Sequence, residues 1–412
     1  MQDISRRCFT LSIPSFLLGC AGRGTFSPGT AESAPQFAAL NRYMVRTIGE
    51  LQIPGASLCV AHEGRIVFSQ GFGWADRDAR VPLTRRTLMR IASISKPITG
   101  MVVLKLFEDE LPGALERKVF GPGGLLPDAR YAAVRDRRVL DITLRNLLQH
   151  SSGWDSNVYE PQYDLVTIAK AMGIPAPASG ADVIEFMLRE RMLDFAPGTR
   201  YSYSNFGYNI LGRIIERRTG MDYETATRQL VLAPAGITAA RIGMDKLAER
   251  FEGEAVYYDD PRWPQDVPSQ TGIGSGKLAY AAFHLRSMDA HGGWVMTSTD
   301  LVRFVDAIDG RSGVARLLKP STVALMQSPD PRITAPAAGL SWALAPGSWN
   351  HSGSLIAGTH SFLNRRSDGV TWAVIYNSFP IDPDIGMADA QPLTERTFKG
   401  LEAELLKAIA GT

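Results

Sequence analysis

A serine and a lysine lie one helical turn apart in the stretch RIASISKPITGMVVLKLFEDE, where Ser93 precedes Lys96 by three residues and Pro97 follows at once. Proline is tolerated in the first turn of a helix, so Pro97 predicts a helix that begins near Ser93. Residues three apart share a helix face, so the Lys96 amine can reach the Ser93 oxygen. A partly desolvated lysine can take the serine proton, and the free N–H groups of a helix start can stabilise an oxyanion. The structural alternative is an N-cap serine beside a solvated lysine.

A second polar pair, Tyr203 and Asn205, lies in YSYSNFGYNILG, between a Pro-Gly turn and a helical pattern. Residues two apart on an extended backbone face the same side, which predicts a phenol and an amide on one wall of a site. A phenol close to an ammonium has its anionic form favoured, so Tyr203 is predicted to relay protons. The alternative is an aromatic loop that packs on the helix it precedes.

A third candidate is a short polar run just before the predicted strand THSFLNRR: His351, Ser352, Gly353 and Ser354. A glycine in a strand lets a ligand's backbone approach closely. The imidazole and hydroxyls beside it would orient a carbonyl or carboxylate. The alternative is a strand that simply begins with polar residues.

Together, the three motifs resemble those of the serine penicillin-recognising hydrolases, in particular the branch of class C β-lactamases, DD-peptidases and family VIII esterases. S-x-x-K at 93–96, Y-x-N at 203–205 and H-S-G at 351–353 occur in the order of that family. The resemblance runs from about residue 37 to 409 through five further segments: IASISKPITG, LRNLLQHSSGW, FAPGTRYSYSNFGYNILG, GGWVMTSTDLVRF and HSGSLIAG.

This resemblance implies a role for each position. Ser93 would be the acylated nucleophile, Lys96 its proton acceptor and Tyr203 a proton shuttle, while Asn205 would bind a carbonyl or amide of the substrate. The backbone N–H groups of Ser93 and Ser354 would form the oxyanion hole. The remaining substrate contacts would come from the third motif: His351, Ser352, Gly353 and Ser354. No cofactor and no metal are implied, and the sequence has no His-x-x-x-His pair.

His351 departs from the family pattern, because β-lactamases and DD-peptidases of this family usually carry a lysine there. Histidine is mostly neutral near pH 7, which weakens an anchor for a substrate carboxylate and favours uncharged esters or amides. Arg365 or Arg366 could restore the charge. The alternative functions are a β-lactamase or D-Ala-D-Ala carboxypeptidase and a non-catalytic binding module of the same fold.

The N-terminal segment has the composition of an export signal. Residues 1–19 carry a basic pair, Arg6 and Arg7, then an apolar run, and Cys20 ends the sequence LLGC. This order is typical of a signal peptide, with similarity to twin-arginine and lipoprotein signals. We expect lipid attachment at Cys20, a polar tether over 20–34, and a periplasmic or other extracytoplasmic location on a bacterial membrane. The alternative is an ordinary signal with a chance cysteine.

The remaining chain, 35–412, is predicted to form one α/β domain of the α+β type. β-rich patterns occur at both ends of the chain, and helical patterns dominate roughly 125–310. We therefore expect an antiparallel sheet built from both ends, flanked by helices, with an inserted helical lobe. Cys59, in the strand-like ASLCVA, is predicted to be a buried, inert thiol. The 44 basic and 42 acidic residues are spread along the chain, which disfavours a nucleic-acid partner. Nothing in the sequence indicates an oligomeric state.

Overall fold

The three-dimensional structure is a computed structural model that describes residues 34–260, 263–311, 313, 316–333, 338–355, 357–379 and 390–410, with side chains described outside 390–396. The predicted signal peptide, Cys20 and all of the tether but Ala34 lie outside these residues, so export and lipid attachment remain predictions. No helix in the described part of the chain is long and apolar enough to span a bilayer.

The long strands lie towards the two ends of the described chain, and most of the helices lie between them. The strands are β1 (Gly55–His62), β2 (Arg65–Asp76), β3 (Val81–Pro82), β4 (Met89–Arg90), β5 (Arg241–Ile242), β6 (Val267–Pro268), β7 (Ser275–Gly276), β8 (Trp294–Met296), β9 (Ala343–Ala345), β10 (Ser348–Leu355), β11 (Thr359–Arg366) and β12 (Val370–Tyr376). The α-helices are α1 (Ala38–Glu50), α2 (Ser95–Leu106), α3 (Leu144–Leu148), α4 (Leu165–Met172), α5 (Gly180–Glu190), α6 (Asn205–Thr219), α7 (Tyr223–Thr227), α8 (Leu278–Ala281), α9 (Ser298–Asp309), α10 (Pro320–Met326) and α11 (Ala390–Ala410).

A seven-stranded antiparallel sheet joins both ends of the described chain in the order β3-β2-β1-β12-β11-β10-β9. The two halves meet where β1 pairs with β12, with Ala56 opposite Tyr376 and His62 opposite Val370. A hairpin turn at Glu63 and Gly64 connects β1 to β2, as the sequence predicts. The predicted architecture, a sheet formed by both chain ends, is confirmed.

Helices cover both faces of the central strands. On one face, α1 packs against α11, and Leu40, Met44 and Leu401 form a core with the even-numbered side chains of β12. On the other face, α9 packs on β1 and β12. Burial on both faces explains why β12 is apolar at every position except Thr371 rather than alternating. Cys59 lies in this interior, and desolvation raises the pKa of its thiol to about 12, in agreement with the predicted inert cysteine.

Helix α2 connects the sheet to the helical lobe. Its residues from Ser95 to Leu104 are all buried, so it is apolar around its circumference except at its N-terminus. It packs against α6, which also contacts α3, α5 and α7. The cleft between the helical lobe and strand β10 lies at the N-terminal end of α2. Ser93 and Lys96 are located at this end of the helix.

Candidate active site

Ser93 lies in a short 3₁₀ turn, Ala92–Ile94, that continues directly into α2. Because such a turn has three residues per turn, positions 93 and 96 lie nearly above one another. Pro97 is the third residue of α2, where its missing N–H costs no hydrogen bond within the helix. Ala92 has a φ of +48°, a left-handed conformation that stores about 1–3 kcal/mol next to Ser93.

Lys96 is fully buried at the centre of the site. Its Nζ lies 3.0 Å from Ser93 Oγ, 2.6 Å from Asn205 Oδ1 and 2.8 Å from the His291 carbonyl oxygen. Desolvation lowers the lysine pKa to about 7, although the charge of Glu160 opposes this shift. The amide and carbonyl oxygens accept the two hydrogens of a neutral amine. Its lone pair therefore faces Ser93.

Tyr203 is the second side chain that contacts the Ser93 hydroxyl. Its hydroxyl donates to Ser93 Oγ at 2.7 Å, and the Lys96 Nζ lies 4.7 Å from the centre of its ring. Burial raises the pKa of this phenol well above its usual value. The expectation that the nearby lysine favours the anionic form is therefore wrong, because desolvation of the phenolate outweighs that charge. The structure presents Tyr203 as a protonated donor.

His150, two residues after the end of α3, holds the Tyr203 segment in place. Its ring stacks on the Tyr203 ring with 4.7 Å between centroids, and its Nδ1 accepts the backbone N–H of Ser204 at 3.1 Å. Burial lowers its pKa well below the usual value, so the imidazole is neutral and can accept this hydrogen. His150 therefore supports the Tyr203 segment as a neutral, buried side chain.

Asn205 begins α6, because Ser204 is the N-cap and its Oγ accepts the Gly207 N–H at 3.1 Å. The amide oxygen of Asn205 faces Lys96, and its Nδ2 donates to Glu160 Oε2 at 2.6 Å. Glu160 was not among the residues that the sequence identified. No motif surrounds it, and it lies 45 positions before Asn205, so only the fold brings them together.

Strand β10 carries the third motif and forms the other wall of the cleft. A Cβ on Gly353 would overlap the Ile91 carbonyl oxygen and would lie 3.1 Å from the Ser93 backbone nitrogen. Only glycine therefore lets this strand approach the start of α2 so closely. Ser354, the next residue on the strand, lines the same cavity as Ser93.

A cavity of about 790 Å³ joins these elements. Its walls include six of the predicted site residues: Ser93, Tyr203, Asn205, His351, Ser352 and Ser354. The structure thus brings all three motifs to one cleft. No cluster of three or more metal-ligating side chains occurs among the described residues.

His351 faces this cleft as a neutral group. Desolvation and the charge of Lys96 lower its pKa to about 3, and its Nδ1 bonds to the Ser352 carbonyl oxygen at 2.6 Å. The two arginines that could restore a charge are engaged elsewhere: Arg365 pairs with Asp306 at 2.9 Å in the core, and Arg366 pairs with Asp368 at 2.7 Å. Neither of them lines the cavity.

Comparison with known protein families shows which family this chain belongs to. The Beta-lactamase family model matches residues 40–394, most of the chain. The chain belongs to the β-lactamase family. This confirms the resemblance drawn from the motifs and, at a coarse level, the prediction of a serine hydrolase of the β-lactamase and transpeptidase fold.

Two curated relatives are named for different activities. The esterase EstB of Burkholderia gladioli is 32% identical over 253 residues, which cover 59% of this chain and 59% of the esterase. A D-aminopeptidase of Brucella anthropi is 29% identical over 211 residues, covering 49% of this chain and 36% of the relative. The chain thus spans less than two thirds of either curated relative.

A solved structure is similar over nearly the full length. The crystal structure of the D-amino acid amidase of Ochrobactrum anthropi SV3, complexed with L-phenylalanine amide, matches with a TM-score of 0.66 and 22% identity. The match covers 92% of this chain and 98% of the amidase. At this identity the likeness establishes the fold, a mixed α/β architecture with a large antiparallel sheet.

Proposed function

We propose that this protein hydrolyses an ester or amide through a covalent acyl-enzyme on Ser93, with Lys96 and Tyr203 as proton-transfer partners. The observation that carries the proposal is the position of the Ser93 hydroxyl. Its oxygen lies 3.0 Å from the Lys96 amine and 2.7 Å from the Tyr203 hydroxyl. These are the separations at which a nucleophile and its base exchange a proton.

In the acylation step, neutral Lys96 takes the Ser93 proton as the serine oxygen forms a bond to the carbonyl carbon. The backbone N–H groups of Ser93 and Ser354 are the proposed donors to the oxyanion; removing one such donor typically costs about 10²–10³ in rate. When the bond to the leaving group breaks, that group takes the Tyr203 proton, and the proton held by Lys96 is returned to the phenol.

In the deacylation step, the same groups act on water. The amine is neutral once more, because the leaving group has carried away one proton, so Lys96 takes a proton from water as the water oxygen forms a bond to the acyl carbon. The Ser93–acyl bond then breaks, the serine oxygen takes the Tyr203 proton, and the proton held by Lys96 is returned to the phenol. Lys96 is thus the acceptor and Tyr203 the donor in both steps.

The substrate we favour is an uncharged ester. This preference rests on His351, which is neutral and lies where a lysine would attract a substrate carboxylate. The similarity to an esterase supports the same choice. Among the described residues that line the cavity, the one lysine is Lys399, and it is carried by α11 rather than by β10.

Three substrates distinguish the candidate activities: a short-chain nitrophenyl ester, a chromogenic cephalosporin and a D-Ala-D-Ala peptide. Each is assayed with the wild type and with Ser93→Ala. Ester turnover that Ser93→Ala abolishes is the expected result. Turnover of the cephalosporin or peptide instead would favour a β-lactamase or DD-peptidase. Covalent labelling without turnover would favour a binding module.

We also propose that the protein is exported and held at a bacterial membrane by lipid on Cys20. The support is the order of the basic pair, the apolar run and LLGC in the first 20 residues. Expression in a bacterial host with a palmitate probe tests this, with Cys20→Ser as the matched variant. We expect label and membrane retention in the wild type and neither in Cys20→Ser. An unlabelled, freely released wild type would contradict the proposal.

A further inference from the structure

The Asn205 side chain forms hydrogen bonds with both a carboxylate and an amine. Its Nδ2 donates to Glu160 Oε2 at 2.6 Å, and its Oδ1 accepts from Lys96 Nζ at 2.6 Å. Glu160 lies at the start of the turn Pro161–Tyr163 and is not a wall of the cavity. Hydrogen bonds therefore connect its carboxylate to Lys96 through the Asn205 amide.

The orientation of this amide has consequences for Lys96. A carboxylate accepts hydrogens and does not donate them, so it selects the NH₂ end of Asn205. If the amide turned over, its oxygen would face the Glu160 oxygens and its NH₂ would face the lysine. Both bonds would be lost at once, and the lone pair of a neutral lysine would be drawn away from Ser93.

We propose that Glu160 is a positioning residue: its carboxylate fixes the Asn205 amide so that the oxygen binds Lys96 and the lysine lone pair faces Ser93. The inference rests on the proposed function, because it assigns a cause to the alignment of the base with the nucleophile. It predicts two separable effects at position 160, one from the hydrogen-bond acceptor and one from the negative charge.

The charge effect follows from the groups around Lys96. Three histidines face it from separate elements, His150, His291 and His351, and burial lowers the pKa of each, so all are neutral. The two phenols whose rings lie beside the amine, Tyr203 and Tyr208, are protonated because burial raises their pKa values. Burial raises the pKa of Glu160, whereas the hydrogen bond from Asn205 and the charge of Lys96 favour its carboxylate form. Among the described groups around the amine, this carboxylate is the negative charge that raises the lysine pKa.

Two substitutions separate these effects. Glu160→Gln keeps an oxygen that can accept from Asn205 but removes the charge. The pKa of Lys96 should then fall, by about one unit for a charge of this kind nearby. Glu160→Leu removes the acceptor as well, so Asn205 is free to turn. A misaligned reacting group typically costs about 100-fold in rate.

The test uses a fluorophosphonate probe, which reacts with an activated serine and needs no natural substrate. The rate of Ser93 labelling is measured from pH 5 to 9, with the site mapped by peptide mass spectrometry. For Glu160→Gln we expect a midpoint about one pH unit lower and a maximal rate near that of the wild type. For Glu160→Leu we expect a maximal rate about 100-fold lower. Wild-type midpoints and rates in both variants would overturn the proposal.

A matched control and a second measurement keep the test decisive. Glu216 lies on the same helix as Asn205, about 16 Å further along, and accepts the Tyr223 N–H at 3.2 Å, so Glu216→Gln should leave the pH midpoint unchanged. NMR titration of ¹³Cε-labelled lysine follows the Lys96 pKa without any reaction. If the wild type is not labelled at Ser93, the proposed function fails. If the wild type is labelled, an undiminished maximal rate in Glu160→Leu overturns the positioning role, and an unshifted Lys96 pKa in Glu160→Gln overturns the charge effect.

Discussion

The Nζ atom of Lys96 lies 3.0 Å from the Oγ atom of Ser93, in a setting that favours a neutral amine at ordinary pH. Burial removes the water that would stabilise an ammonium, so the lysine pKa falls to about 7. A base with a pKa near the working pH is the most effective one for proton transfer. The same desolvation keeps Tyr203 protonated, so the two neighbours of Ser93 are an acceptor and a donor.

The pH dependence of acylation should report Lys96. The amine is a base only when unprotonated, so the rate falls as pH falls through a pKa of about 7, by roughly tenfold per unit below it. Stopped-flow measurement of the acylation burst with a nitrophenyl ester checks this. In Lys96→Arg the guanidinium stays charged, so the pH-dependent rise should disappear and the rate should drop by about 10²–10⁴. A flat wild-type profile from acid to alkaline pH would contradict the assignment.

Removal of the Tyr203 hydroxyl should impair both chemical steps. Tyr203→Phe keeps the ring that stacks on His150 but lacks the donor 2.7 Å from Ser93 Oγ. We expect kcat to fall by about 10²–10⁴ with little change in the melting temperature. Single-turnover and steady-state rates measure the two steps separately. Wild-type rates in this variant would remove Tyr203 from the mechanism.

A positive charge at position 351 should change substrate preference. His351 is neutral, and Lys at that place would attract a carboxylate within the cleft. For His351→Lys we expect kcat/KM for a carboxylate-bearing ester to rise about tenfold relative to its uncharged methyl ester. His351→Gln, which adds no charge, is the matched control. An unchanged ratio in the lysine variant would mean that charge at this position does not decide the substrate class.

Gly353 should tolerate no side chain. A Cβ there would overlap the Ile91 carbonyl oxygen, so Gly353→Ala must displace either β10 or the turn that holds Ser93. We expect about 1–3 kcal/mol of destabilisation and about 100-fold lower activity. Gly49, within α1, has open space where a methyl group would stand, so Gly49→Ala should be neutral or slightly stabilising. Urea unfolding and ester turnover check both variants, and a fully active, stable Gly353→Ala would refute the argument.

Local patterns in the sequence predicted much of the site. Pro97 placed the helix start, and the spacing of Ser93 and Lys96 placed their side chains on one face. These inferences depend on backbone geometry within a few residues, which sequence specifies well. The β-rich ends likewise predicted the sheet, although the register of β1 on β12 depends on contacts more than 300 residues apart in the chain.

The burial of the site residues and their contacts with distant parts of the chain could not be predicted from the sequence. The protonation of Tyr203 was mispredicted because the argument used the charge of Lys96 without the desolvation of the phenol. Glu160 was missed because its place beside Asn205 arises from the packing of the Pro161–Tyr163 turn near the start of α6. The contact of Lys96 with the His291 carbonyl oxygen involves a backbone atom, so no residue type in the sequence could have indicated it. Each of these features depends on the folded surroundings rather than on a motif.

The most direct test of the mechanism is to trap the covalent intermediate. Intact-protein and peptide mass spectrometry of samples acid-quenched during ester turnover should find one acyl group on the peptide that contains Ser93. Ser95, which is buried and accepts the Trp294 N–H at 3.3 Å, provides the matched variant. The proposed mechanism predicts an adduct on Ser93 in the wild type and in Ser95→Ala, and none in Ser93→Ala. An adduct or undiminished turnover in Ser93→Ala would contradict it.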